Sequence, residues 1–71
     1  MSEAPRLRMG KDNNWTPASL RDHFRWQVSQ ISPSVRIHYA YNVLRGVATS
    51  SAWSIAQRRA IALGLEQGIK E

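Results

Sequence analysis

Cysteine is absent from the sequence, which excludes a disulfide framework and a thiolate metal site and leaves the fold to packing alone or to a partner. Such a composition suits a reducing cytoplasm. Acid is scarce as well: 5 Asp and Glu stand against 10 Lys and Arg, for a formal net charge of +5. The acids are Glu3, Asp12, Asp22, Glu66 and Glu71, and none falls between His23 and Leu65. Long apolar runs are missing too. The uncharged stretch from Val47 to Gln57 is broken by Thr49, Ser50, Ser51 and Ser54, far short of the roughly 18 apolar residues of a membrane span. No apolar run follows the charges at Glu3, Arg6 and Arg8, so no secretory signal is expected. These absences predict a soluble cytoplasmic protein with no membrane partner.

What is present fits one small domain. A chain of 71 residues buries only about 60% of its unfolded surface and has no room for a second core. Residues 1–14 hold Glu3, Pro5, Gly10, Asp12 and two asparagines, with Leu7 and Met9 as the only sizeable apolar side chains besides Met1. A mobile basic arm is expected there. Residues 15–65 are expected to form the folded domain and residues 66–71 a frayed tail.

Order is predicted to begin at Trp15-Thr16-Pro17, where Thr16 can cap a helix and Pro17 takes the first helical position. Leu20, Phe24, Val28 and Ile31 then recur at steps of four, four and three, which is one helical face running to about Gln30. Ser32-Pro33 repeats the start signal 16 residues later. Beyond it Val35, Ile37, Tyr39, Tyr41 and Val43 alternate in the period of a strand. Ile37, Ala40, Tyr41 and Leu44 equally fit a helical face, with Arg45-Gly46 as its end. Helix is preferred because the start signal is helical and no second strand of like quality exists to pair with it. A third helix is expected in the alanine-rich segment from Ala52 to Leu63, capped by Ser50 or Ser51, with Ala52, Ile55, Ala56, Ala60 and Leu63 inward and Gly64 near its end. The expected fold is all-α, a small three-helix domain behind a disordered basic arm. The alternative is α+β, with a short strand around Val35 to Val43.

Catalytic chemistry finds little support. The five carboxylates are scattered, so no pair is placed for acid and base work, and His23 and His38 fall on different elements. Gly64 and Gly68 make no phosphate-binding loop. No enzyme activity, cofactor or metal is expected. Binding has more to work with: Arg25, Arg36, Arg45, Arg58 and Arg59 share a stretch without a carboxylate, so their counter-charges are expected from outside. Arg21 and Arg25 are four apart on the first helix, and Arg58 and Arg59 are adjacent on the last, so each pair can present a doubled charge. A solvated helix face is the plain alternative for both. Arg6, Arg8 and Lys11 surround Leu7 and Met9 in the arm, as in a segment that orders on an acidic surface. Trp15 is either a staple residue packed on Leu20 or an exposed anchor for a partner.

Two resemblances follow. Tyr41 to Ile61 can be laid partly on a DNA-binding helix-turn-helix, with Gly46 as the turn glycine and Ile55 inward on the second helix. The whole chain looks like the small transcription regulators of Xanthomonas bacteriophages that bind host RNA polymerase. That likeness is carried by length, the basic arm Arg6 to Lys11, the Asn14-Trp15-Thr16-Pro17 entry and the end Arg58-Arg59-Ala60-Ile61-Ala62-Leu63. It implies a monomer when free, working in the cytoplasm of a host bacterium. It also implies binding to acidic surface on the large polymerase subunits, inhibition of initiation by displacing sigma factor, and suppression of termination. Arg6, Arg8, Lys11, Trp15, Arg21, Arg25, Arg58 and Arg59 are the expected contacts. Nucleic acid is the alternative partner, and inhibition of another nucleic-acid enzyme a third reading.

Overall fold

Thr16 and Ser54 supply polar groups to the free amides at the starts of the first and third helices, and proline opens the first and second. The computed structural model describes Pro5 and residues 15–70; the predicted arm, with Arg6, Arg8 and Lys11, otherwise lies outside the described residues. Helix α1 spans Pro17–Ser29, α2 Pro33–Thr49 and α3 Ile55–Lys70, with no strand among the described residues. Thr16 is extended at the N-cap of α1, its Oγ1 accepting from Ser19 N at 3.3 Å, and Pro17 follows at the first helical position. Trp15 lies one residue before that cap and packs with Leu20 into the core, the arrangement of a hydrophobic staple. Ser32 and Pro33 open α2 in the same way, although Ser32 makes no side-chain cap bond. The alternating pattern of Val35 to Val43 is therefore helical: it follows a helix start and has no strand to pair with.

Three boundaries differ from expectation. Helix α2 does not end at Arg45-Gly46 but continues to Thr49; Gly46 is exposed and meets no crowding that would force a turn. Helix α3 is capped by Ser54, not Ser50 or Ser51. Gln57 N donates to Ser54 Oγ at 3.2 Å, and Ser54 N donates to Gln57 Oε1 at 3.1 Å. That is a reciprocal capping box. Of the expected frayed tail 66–71, residues 66–70 are helical: α3 runs unbroken to Lys70, with Glu66 and Lys70 paired at 3.0 Å, and Glu71 lies outside the described residues.

Gly64, expected near the end of the helix, instead lies inside it together with Gly68. Gly64 and Gly68 are both buried, one turn apart, on the face that meets α1. A Cβ at Gly64 would overlap the Arg21 carbonyl oxygen, and one at Gly68 would lie 2.7 Å from Val28 Cβ and 2.9 Å from the Arg25 carbonyl oxygen. With Ala60 they form a smooth strip that lets α1 approach backbone to backbone. Here glycine serves proximity rather than termination.

The core is the seam so formed, with Leu20 and Val28 from α1 and Ala60, Ile61 and Leu65 from α3. Helix α2 contributes only Ala40 as a buried residue, with Tyr39, Val43 and Val47 packed partly against the seam. The body is flattened, 36 × 28 × 13 Å, and α2 lies on it with most of its circumference in solvent. Of the residues predicted to face inward on the third helix, Ala60 alone is buried, while Ile55 is 72% and Leu63 42% exposed. The true inward set, Gln57, Ala60, Ile61, Gly64, Leu65 and Gly68, is rotated toward the glycine strip.

Candidate partner-binding surface

The connections between helices determine which cations are available. Arg36 Nε donates to the Ile31 carbonyl oxygen at 3.1 Å, just past the end of α1. Arg58 Nη2 donates to the Ser50 carbonyl oxygen at 2.6 Å, at the C-cap of α2. The Arg58 guanidinium thus meets the C-terminal end of α2, while Arg36 ties down a carbonyl of the α1–α2 connection. The expectation that the arginines of the acid-free stretch find no internal counter-charge fails for these two, because main-chain carbonyls do the work of carboxylates. The Arg58 Nε is buried with no partner among the described residues, and Arg58 is a cross-link of the corner rather than half of an outward pair.

Arg59 is exposed, and neither it nor the exposed Arg45 has an ion pair or side-chain hydrogen bond among the described residues. Arg21 Nε meets Asp22 Oδ1 at 3.3 Å. Arg25, four residues on, is exposed on α1. Trp15 is half-buried against the core, and its carbonyl accepts from Gln57 Nε2 at 2.9 Å. Gln57 therefore joins the start of α1 to the start of α3 from a position 5% exposed. Trp15 stands in the staple position, packed partly against the core.

Two grooves border α3. One, of about 340 Å³, lies between the first turns of α1 and α3 and is lined by Pro17, Ala18, Arg21, Ala56, Arg59 and Leu63, among others. The other, of about 260 Å³, lies between α2 and α3 and is lined by Leu44, Val47, Ala48, Arg58, Arg59 and Ala62. Both are mainly apolar, and Arg59 borders both. Of the sequence-predicted residues, the structure brings together Arg21 and Arg59 on the first groove and Arg58 and Arg59 on the second. Arg25 and Trp15 line neither groove.

Sequence reasoning missed Ile37, Tyr41 and Leu44 as surface. Their common face is correct, but it turns outward, leaving them 67%, 64% and 38% exposed. The signal that could have found them is that α2 is apolar on two sides: Tyr39, Ala40, Val43 and Val47 form a second stripe, and only one stripe can face the seam. The helix-turn-helix layout fails in the same region, since Gly46 lies inside α2 and the corner falls at residues 50–54.

The titratable groups point to packing. His23 sits edge-on to Phe24, ring centroids 5.4 Å apart, and its Nδ1 is buried without a partner among the described residues. Desolvation holds its pKa below the usual value. Tyr39 donates to Gln27 Oε1 at 2.5 Å, tying α2 to α1, and burial raises its pKa. Among the described residues no cluster of His, Asp and Glu is arranged to hold a metal ion, and no helix is long and apolar enough to cross a membrane. No family model, curated protein or solved structure matches the chain.

Proposed function

We propose that this chain is a non-enzymatic regulator that binds an acidic protein surface, and that the surface belongs to the large subunits of bacterial RNA polymerase. The observation that carries the reading is the pair of exposed, unanswered arginines, Arg45 and Arg59, on a body with no acid between Asp22 and Glu66. Solvated faces normally mix both signs of charge. A carboxylate cluster on a partner supplies what the chain lacks, and long-range attraction speeds the encounter. Polymerase is named on the whole-chain likeness to phage regulators, with sigma displacement at initiation and suppression of termination as the consequences. Steric displacement of that kind needs no catalytic group.

Affinity purification of the tagged chain from a bacterial lysate tests this. Retention of polymerase subunits, together with no shift of a naked DNA duplex, is the expected result. Retention of DNA without polymerase would transfer the reading to direct DNA binding, whose affinity should fall by orders of magnitude between about 50 and 200 mM salt.

A further inference from the structure

The side of α2 turned away from the α1–α3 seam carries an apolar stripe. Ile37, Tyr41 and Leu44 follow at four and three residues, and exposed Ala48 extends the same line. Side chains of that size aligned on one face form a continuous patch rather than the scattered apolar residues of an ordinary surface. On one edge the stripe runs into the α2–α3 groove, where Leu44, Val47 and Ala48 stand opposite Ala62 and Arg59. On the other edge lies Arg45, four residues after Tyr41 and so beside it on the helix. An apolar strip therefore runs between two cations, and neither cation has an acidic partner among the described residues.

Charge selects the occupant. A second copy of this chain would set a net charge of +5 against the same charge and place arginine opposite arginine. The N-terminal arm, with Arg6, Arg8 and Lys11, repeats the sign of the rim. A phosphate backbone would satisfy Arg45 and Arg59 but would leave Ile37 and Leu44 against a polar surface. A helix that is apolar on one face and acidic on its flanks satisfies both parts at once, its apolar ridge entering the groove and its carboxylates meeting the rim.

We propose that the outer face of α2, with the α2–α3 groove, docks an amphipathic helix of a partner protein that carries large aliphatic or aromatic side chains on one face and Asp or Glu along the flanks. This rests on the reading that the chain binds an acidic protein and says which chemistry it recognises.

The test uses the full chain, isotopically labelled, and a synthetic peptide of about 18 residues with leucine at helical spacing and glutamate on the flanks. A second peptide replaces every glutamate by lysine. Addition of the acidic peptide is expected to shift the resonances of Ile37, Tyr41, Leu44, Val47 and Arg59. Because both side chains are largely exposed, the double substitution Ile37→Ser, Tyr41→Ser should leave the helical circular dichroism unchanged while weakening binding about tenfold, or about 1.4 kcal/mol. Arg45→Glu with Arg59→Glu should reverse the preference toward the lysine peptide. Equal binding of both peptides, shifts confined to α1, tighter binding of a DNA duplex at the same residues, or self-association lost in the serine variant would each overturn the inference. If polymerase is retrieved equally by the unsubstituted chain and the serine variant, the docking inference fails while the polymerase reading stands. If the acidic peptide binds as described and no polymerase is retrieved, the reverse holds.

Discussion

Replacing Gly64 by alanine adds one methyl group, and where that methyl falls decides its effect. In an open helix the change stabilises by about 1 kcal/mol, since alanine is the better helix former. In α3 the new Cβ would overlap the Arg21 carbonyl oxygen and lie 3.0 Å from that residue's carbonyl carbon and Cα. These are main-chain atoms inside α1, so no side-chain rotation relieves the overlap and the two helices must move apart. Separation loosens the contacts of Leu20, Ile61 and Leu65, each no more than 2% exposed. Overpacking of this kind costs about 1–3 kcal/mol, often at the upper end when backbone must shift. After the gain in propensity, a net loss of about 2 kcal/mol is expected, out of the roughly 4–10 kcal/mol typical for a chain of this length. Gly46→Ala is the matched control: it lies in α2, nothing stands within 4 Å of its added Cβ, and it should stabilise by about 0.5–1 kcal/mol. Urea unfolding followed by circular dichroism at fixed slope compares the two through their midpoints. A Gly64→Ala chain as stable as the unsubstituted one would refute the close α1–α3 seam, and with it the account of why α3 continues past its glycines.

Gln57→Ala removes both the reciprocal cap of α3 and the donor to the Trp15 carbonyl; a loss of about 2 kcal/mol is expected in the same urea assay. Arg58→Ala should cost about 1–2 kcal/mol by freeing the Ser50 carbonyl at the α2 corner, and Arg58→Lys should recover part of it. Tyr39→Phe deletes the hydroxyl bonded to Gln27 and should destabilise by about 1 kcal/mol. The lowered pKa of His23 means that the unfolded chain binds its proton more readily, so this residue's contribution is fully present above the unfolded value near 6.5 and is lost as pH falls from there through the lower folded value. Stability measured from about pH 8 to 5 should decline on the acid side, and His23→Asn should flatten that decline.

Thr16-Pro17 and Ser32-Pro33 were legible in the sequence because a cap followed by proline is a local signal: it depends on the free amides of one helix start and on nothing distant. The buried face of α1 was legible for a related reason, since Leu20 and Val28 repeat at helical spacing in an otherwise polar segment. Gly64 was misread because glycine after a periodic run has two meanings, helix end or close approach, and only the neighbour decides between them. The neighbour here is the backbone of α1, more than 35 residues away in the chain. Helix α2 shows the other limit. With apolar residues on two sides, its periodicity identifies a helix without identifying the inward face, so the exposure of Ile37, Tyr41 and Leu44 emerges only from the fold.

The arginines show how a charge count becomes a surface only after folding. Five of them share a stretch without acid, and as a sequence they are equivalent. Two are drawn to main-chain carbonyls of the helix connections, Arg36 at Ile31 and Arg58 at the Ser50 C-cap of α2, where the end of α2 offers Arg58 a partial negative charge. Those two fix the corners between successive helices. Arg45 and Arg59, with no side-chain hydrogen bond or ion pair among the described residues, keep their charge in solvent on either side of the apolar stripe of Ile37, Tyr41 and Leu44. The same scarcity of acid therefore has two consequences in one chain: it turns some cations inward as structural cross-links, and it leaves others as the charged border of an apolar face that an acidic helix would complete.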